Sequence, residues 1–196
     1  MDGYYEINEL LLIKKEFSNL LKKRVVLDVG ANIGNHSRFF SEISSEVLSF
    51  EPNPITYRIL EANTMNLDNV FTYNFGASDK DFITEATMIF GNLGGTSITQ
   101  DRYSKMAVKK EKVIFHLKRL DDCEVIKDRD IGFIKIDVEG HELECLKGMS
   151  DLLINNNPII AIEQEAEVIN NGSSPAIEFL EELGYVNKFE ACKAMD

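Results

Sequence analysis

Cysteine is scarce. Cys123, Cys145 and Cys192 are three in 196 residues, widely separated and without a C-x-x-C spacing. That argues against a disulfide framework or a zinc site and fits a reducing compartment, the cytoplasm. Long apolar runs are missing as well. The longest near the N-terminus, LLLI at 10–13, is too short to cross a bilayer or to act as a signal segment. Positive charge is in deficit: 21 Lys and Arg against 33 Asp and Glu leave a formal net charge of −12. Phosphate backbones and anionic lipid repel such a chain, so neither nucleic acid nor membrane is expected as a partner. Repeats, low-complexity tracts and interdomain linkers are absent too. Residues 1–196 therefore read as a single domain with a sizeable core.

What is present alternates. Residues 6–23 space Ile7, Leu10, Leu11, Phe17, Leu20 and Leu21 as one face of an opening helix. RVVLDVG (24–30) and EVLSFEP (46–52) are short β-branched runs closed by glycine or proline, and NVFTYNFGAS (69–78) is a third strand. Helical spacing fills the intervals, at 35–43 and 55–67. The pattern predicts an α/β fold, a mostly parallel sheet with helices on both faces. Between about 82 and 118 the beat changes to a β-rich insertion with strands at 86–90 and 112–117. It resumes with strands at 131–137 and 158–164 and helices at 141–148 and 174–184. A last strand is expected at 185–190, which implies a shortened C-terminal end.

VLDVGANIGNHS (26–37) sets a loop with Gly30 and Gly34 between a buried strand and a helix. Glycine lets backbone approach a ligand closely, and a following helix start presents free N–H groups. Glu51, at the end of the next strand, can accept hydrogen bonds from ribose hydroxyls. Together they point to a nucleoside-containing cofactor. The plain alternative is that both glycines serve tight strand–helix packing. A third glycine, needed to seat a pyrophosphate, is absent, which opposes a nicotinamide-dependent oxidoreductase. Asp28 adds negative charge that suits a cationic ligand such as S-adenosylmethionine.

VLDVGANIGNHS with SFEPNP (49–54) resembles the first two motifs of class I S-adenosylmethionine-dependent methyltransferases. FIKIDVEGHELECLKG (133–148) resembles the hallmark of the FkbM-type branch, and FGASDKD (75–81) and LKRLDD (117–122) match further segments. The likeness covers roughly residues 24–165. It implies a Rossmann-like sheet that binds S-adenosylmethionine at its carboxyl edge, and O-methylation of a small molecule or glycan. By that resemblance Gly30, Ala31, Asn32 and Gly34 wrap the methionine part, Glu51 with Pro52 holds the ribose, and Ala77 and Ser78 border adenine. Asn32 stands where many class I enzymes have glycine, but asparagine tolerates left-handed backbone.

Asp137 ends the strand that opens 133–148, beside the expected cleft. Methyl transfer to a hydroxyl needs alignment and removal of a proton. Asp137 and Glu139 are assigned to the acceptor or methionine end, and His141 is the candidate base. The plainer readings are helix capping for Asp137 and Glu139 and a solvated first turn for His141. A magnesium site from Asp137, Glu163 and Gln164 is a further arrangement, though it lacks a second aspartate. GGTS (94–97) and the cluster Arg102, Lys105, Lys109 and Lys110 suggest where an acceptor, sugar-like or anionic, is recognised. A catalytically silent cofactor-binding module is the competing reading, and an exposed last strand admits a homodimer.

Overall fold

The structure, a computed structural model, describes residues 4–89, 96–97, 110–164, 169 and 173–186. The first half runs α1 (Ile7–Leu21), β1 (Val25–Val29), α2 (Asn35–Ser41), β2 (Glu46–Phe50), α3 (Pro54–Thr64) and β3 (Val70–Tyr73). Then come β4 (Gly76–Ala77), β5 (Phe82–Ile89), β6 (Thr96–Ser97) and β7 (Lys110–Lys118). The chain continues through β8 (Ile131–Ile136), α4 (Glu142–Lys147), α5 (Ser150–Asn156), β9 (Ile159–Ile162) and α6 (Pro175–Glu182).

Five strands form a parallel sheet in the order β3-β2-β1-β8-β9. The order reverses at β1, which opens a crevice at the carboxyl edge between β1 and β8. Both faces are covered. On one, Val26, Val47 and Phe133 pack with Leu10 and Leu21 of α1 and Phe39 and Phe40 of α2. On the other, Leu27, Leu48, Ile134 and Ile136 meet Cys145, Leu146, Leu152, Leu153 and Leu180 from the later helices. The faces are kept apart by strand alternation, with one irregularity. β1 and β8 shift register between Val25 and Val26, which pair with Ile131 and Phe133 and leave Gly132 as the extra residue.

The helices begin where their caps dictate. Asn53 accepts the Ile55 N–H ahead of Pro54, and Ser174 accepts the Ile177 N–H ahead of Pro175. Phe133 is 1% exposed, with its ring 5.4 Å from that of Phe40. Phe133→Ala should cost about 3–5 kcal/mol in urea unfolding. A loss under about 1 kcal/mol would mean that the α1–α2 face unfolds separately from the sheet.

Four features differ from the sequence expectations. The strand read at 69–78 is two, because Asn74 turns the chain and its side chain donates to the Glu51 carbonyl. β4 then pairs with β7, in a second sheet of order β4-β7-β5-β6. The inserted strands are longer than expected, with β5 and β7 antiparallel over eight pairs. α5 was not expected, since SDLLINN is too short to show a helical period. The strand read at 185–190 falls partly on Tyr185 and Val186, which lie in no strand, and otherwise outside the described residues. Arg102, Lys105 and Lys109 also lie outside them.

Candidate cofactor and active-site cleft

A cleft of about 610 Å³ opens at the carboxyl edge of the parallel sheet, within the range of small-molecule sites. Its apolar lining comes from Pro52, Gly76, Ala77, Phe115 and Leu117. Its ionisable lining comes from Glu6, His36, Glu51, Lys135, Asp137, Glu139, His141 and Glu163. The loop residues Gly30, Ala31 and Asn32 complete the wall.

The glycine loop is fixed peptide by peptide. Gly30 N–H and Ala31 N–H both donate to the Phe50 carbonyl at 3.0 Å. Asn32 N–H donates to Glu51 Oε2 at 2.9 Å, and Asn53 N–H to Glu51 Oε1 at 2.8 Å. Asn32 takes the left-handed conformation, φ +50°. Its Oδ1 is buried and without a hydrogen-bond partner. Burial pushes the Glu51 carboxyl up to about 7, against the pull of the Asn53 and Asn32 amides.

Gly30 is needed for a reason other than ligand approach. A Cβ there would sit 1.8 Å from the Asp137 carbonyl oxygen. The empty position admits the neighbouring loop, which Asp137 N–H ties to the Val29 carbonyl at 3.0 Å. Gly34, φ +89°, packs on Leu60 and Thr64 of α3 and does not line the cleft. Packing thus accounts for both glycines, although Gly30 also forms wall.

Asp28 is likewise placed behind the wall, fully buried. It accepts from Ser37 Oγ at 2.6 Å, and its other oxygen is 3.7 Å from Lys135 Nζ. The cation it reaches is a lysine of this chain, not a ligand. Ser78 is also fully buried and is not part of the cleft lining, but its Oγ is 2.9 Å from His141 Nε2. The remaining site residues, namely Gly30, Ala31, Asn32, Glu51, Pro52, Ala77, Asp137, Glu139 and His141, are brought together around one hollow.

Several wall residues escaped the sequence reading. Phe115 and Leu117 come from β7 of the insertion, and alternation in KVIFHL already sets them on one face with Val113. Tyr5 and Glu6 reach the cleft ahead of α1. Tyr5 exchanges hydrogen bonds with the Asn35 side chain at 3.0 and 3.1 Å, and Glu6 meets His36 at 3.4 Å. Burial and the Lys135 charge hold the His36 imidazolium below its usual range, with Asp28, Glu6 and Asp137 opposing. No local sequence signal marks Tyr5 and Glu6. Among the described residues no group of three His, Cys, Asp or Glu side chains is arranged to hold a metal. Gln164 accepts from Ser174 Oγ, away from the cleft.

The family model described as methyltransferase FkbM domain matches residues 28–186, from β1 past α6. The chain belongs to the FkbM methyltransferase family. The hexuronic acid methyltransferase AglP of Haloferax volcanii is 31% identical over 164 residues, 81% of this chain and 61% of that protein. Methyltransferase sdnD of Sordaria araneosa is 32% identical over 167 residues, 69% of this chain and 64% of that one. The FkbM chain described here thus spans about three fifths of the length of these relatives. Precorrin-6y C5,15-methyltransferase of Geobacter metallireducens shares the fold, with a TM-score of 0.54 at 17% identity, over 95% of this chain and 75% of that one. No helix among the described residues is long and apolar enough to cross a membrane.

Proposed function

We propose that the chain transfers a methyl group from S-adenosylmethionine to a hydroxyl oxygen of a small molecule or glycan. The observation that carries this reading is the mixed lining of one cleft, apolar Pro52, Ala77, Phe115 and Leu117 together with acidic Glu51, Asp137, Glu139 and Glu163. The donor's own chemistry matches it: an adenine, a ribose with two hydroxyls, and an end bearing a sulfonium and an ammonium. Each Glu51 oxygen uses one lone pair on a backbone N–H and keeps acceptor capacity for a ribose hydroxyl. The unpartnered Asn32 Oδ1 is a further acceptor.

The donor supplies a methyl carbon bonded to positive sulfur. The protein's part is to align an acceptor oxygen with that carbon, exclude water and take the hydroxyl proton. Ser78 Oγ donates to Asp79 at 3.2 Å, so His141 presents Nε2–H to Ser78 and keeps its lone pair on Nδ1. Nδ1 lies 3.7 Å from a Glu144 carboxylate oxygen. The Haloferax relative is a hexuronic acid methyltransferase, which makes uronic acids the first acceptors to try, followed by neutral hexoses and polyols. Titration calorimetry with S-adenosylmethionine and S-adenosylhomocysteine, then a screen with radiolabelled donor, tests the reading. Binding without transfer to any hydroxyl would favour a silent cofactor-binding module. No binding of either compound would end the proposal.

Glu51 also gives donor binding a pH signature. Its ionised form accepts the ribose hydroxyls, and its folded pKa is raised to about 7. Affinity should therefore fall roughly tenfold per unit as pH drops below 7 and level off above about 8. In the ligand-free protein the sign is opposite: the protonated carboxyl is the better buried form, so stability declines as pH rises from the ordinary carboxylate range to about 7 and levels off above it. Glu51→Gln should flatten the affinity profile, and Glu51→Ala should weaken binding by about 1.5–3 kcal/mol. A pH-independent wild-type affinity would remove Glu51 from the ribose.

A further inference from the structure

Lys135 is the one Lys or Arg among the described cleft residues. It sits in a strand between Ile134 and Ile136, 7% exposed. Cross-strand register explains where it points. Asp28 of β1 lies opposite both Ser49 of β2 and Lys135 of β8. Two residues earlier, the matching row is Val47, Val26 and Phe133, deep in the core. Two residues later, the row is Glu51, Gly30 and Asp137, the floor of the cleft. A polar row thus underlies the floor, one pleat down.

The row is joined as a chain of contacts. Ser49 Oγ donates to Ser37 Oγ at 2.9 Å, and Ser37 Oγ donates to Asp28 Oδ2 at 2.6 Å. Asp28 Oδ1 faces Lys135 Nζ at 3.7 Å. The ammonium then reaches up into the floor, donating to the Gly30 carbonyl at 3.2 Å and Asp137 Oδ2 at 3.3 Å. Burial works against the ammonium, but Asp28 and Asp137 outweigh it and keep the lysine charged. A buried pair of this kind is seldom worth its desolvation as a source of stability, and apolar side chains of similar volume would do as well. Its geometry offers something apolar residues cannot: three fixed contacts that link the ends of β1 and β8 beneath the ligand.

We propose that Lys135, anchored by Asp28, is a positioning residue of the cleft that acts through the Gly30 carbonyl and the Asp137 carboxylate. It rests on the methyl-donor reading, because those two groups stand where the donor's cationic end is expected. With Lys135 in place, every peptide from Gly30 to Asn32 has a fixed partner: the Phe50 carbonyl, the Lys135 ammonium or the Glu51 carboxylate. The trio Asp28, Lys135 and Asp137 carries one net negative charge, enough to attract a cation without leaving two carboxylates to share a proton.

The test uses Asp28→Asn combined with Lys135→Met, which leaves the net charge of the trio unchanged and orphans no buried carboxylate. Lys135→Arg is the second variant. It keeps Asp28 paired, but a planar guanidinium cannot reproduce the three contacts of an ammonium. Calorimetry with S-adenosylmethionine and S-adenosylhomocysteine should show at least tenfold weaker binding of both in the double variant, and at least fivefold in Lys135→Arg, at melting temperatures near wild type. Amide hydrogen exchange at Ala31 and Asn32, read without any ligand, should quicken about tenfold in each variant. Wild-type affinities with wild-type exchange would overturn the proposal, whichever variant folds. If wild-type protein binds neither compound, the methyl-donor reading fails, and unchanged exchange would then overturn the role of Lys135 on its own.

Discussion

Gly30→Ala is expected to abolish measurable donor binding and to destabilise the protein by roughly 2–5 kcal/mol. Two costs add. At φ +78° an L side chain meets a left-handed penalty of about 1–2 kcal/mol. The new Cβ would also stand 1.8 Å from the Asp137 carbonyl oxygen and 2.9 Å from its carbon. That neighbour is backbone, so relief requires the ends of β1 and β8 to part, at an overpacking cost of about 1–3 kcal/mol. Parting them would break the Asp137 N–H bond to Val29 and carry Asp137 away from Lys135. Urea unfolding and titration calorimetry read the two effects separately. Full affinity with a loss below about 1 kcal/mol would mean that the two strand ends are not the rigid frame of the site.

His141→Ala should lower methyl transfer about 100-fold or more while leaving donor affinity within about twofold. The imidazole is fixed by Ser78 at Nε2 and faces Glu144 at Nδ1. Ser78→Ala removes the orientation and keeps the ring, and should cost roughly tenfold. Rates come from label transfer to whichever acceptor the screen yields. An unimpaired rate in His141→Ala, with a lowered melting temperature, would make the histidine a brace between α4 and the second sheet.

The parallel sheet was legible because its strands are buried on both faces and read as near-continuous apolar runs: Val25–Val29 and Ile131–Ile136 have every residue buried, and only Asp28 and Lys135 interrupt them with charge. The glycine loop and Glu51 were legible through spacing along the chain. What spacing cannot give is the partner across a sheet. Nothing along the chain singles out Lys135 in its apolar run; only register sets Asp28 opposite it. Asp28 looked like a ligand-facing acid because its partner lies 107 positions away. The split of 69–78 into two strands depends on the Asn74 side chain finding the Glu51 carbonyl, a tertiary contact. Tyr5 and Glu6 were invisible for the same reason, since Asn35 and His36 bring them to the wall.

The register shift at Gly132 has a reach beyond its size. β8 enters the sheet with Ile131 facing one layer, and after the extra residue Phe133 faces the opposite one. Side chains alternate strictly from there on, so the phase in which Lys135 and Asp137 arrive at the ligand is set three and five residues upstream, at the strand's other end. Adding or removing one residue near 132 would turn Ile134 and Ile136 toward the donor and thrust an ammonium among the leucines of the later helices. Such a change would silence the site from the far side of the molecule, with every residue of the cleft still spelled as before.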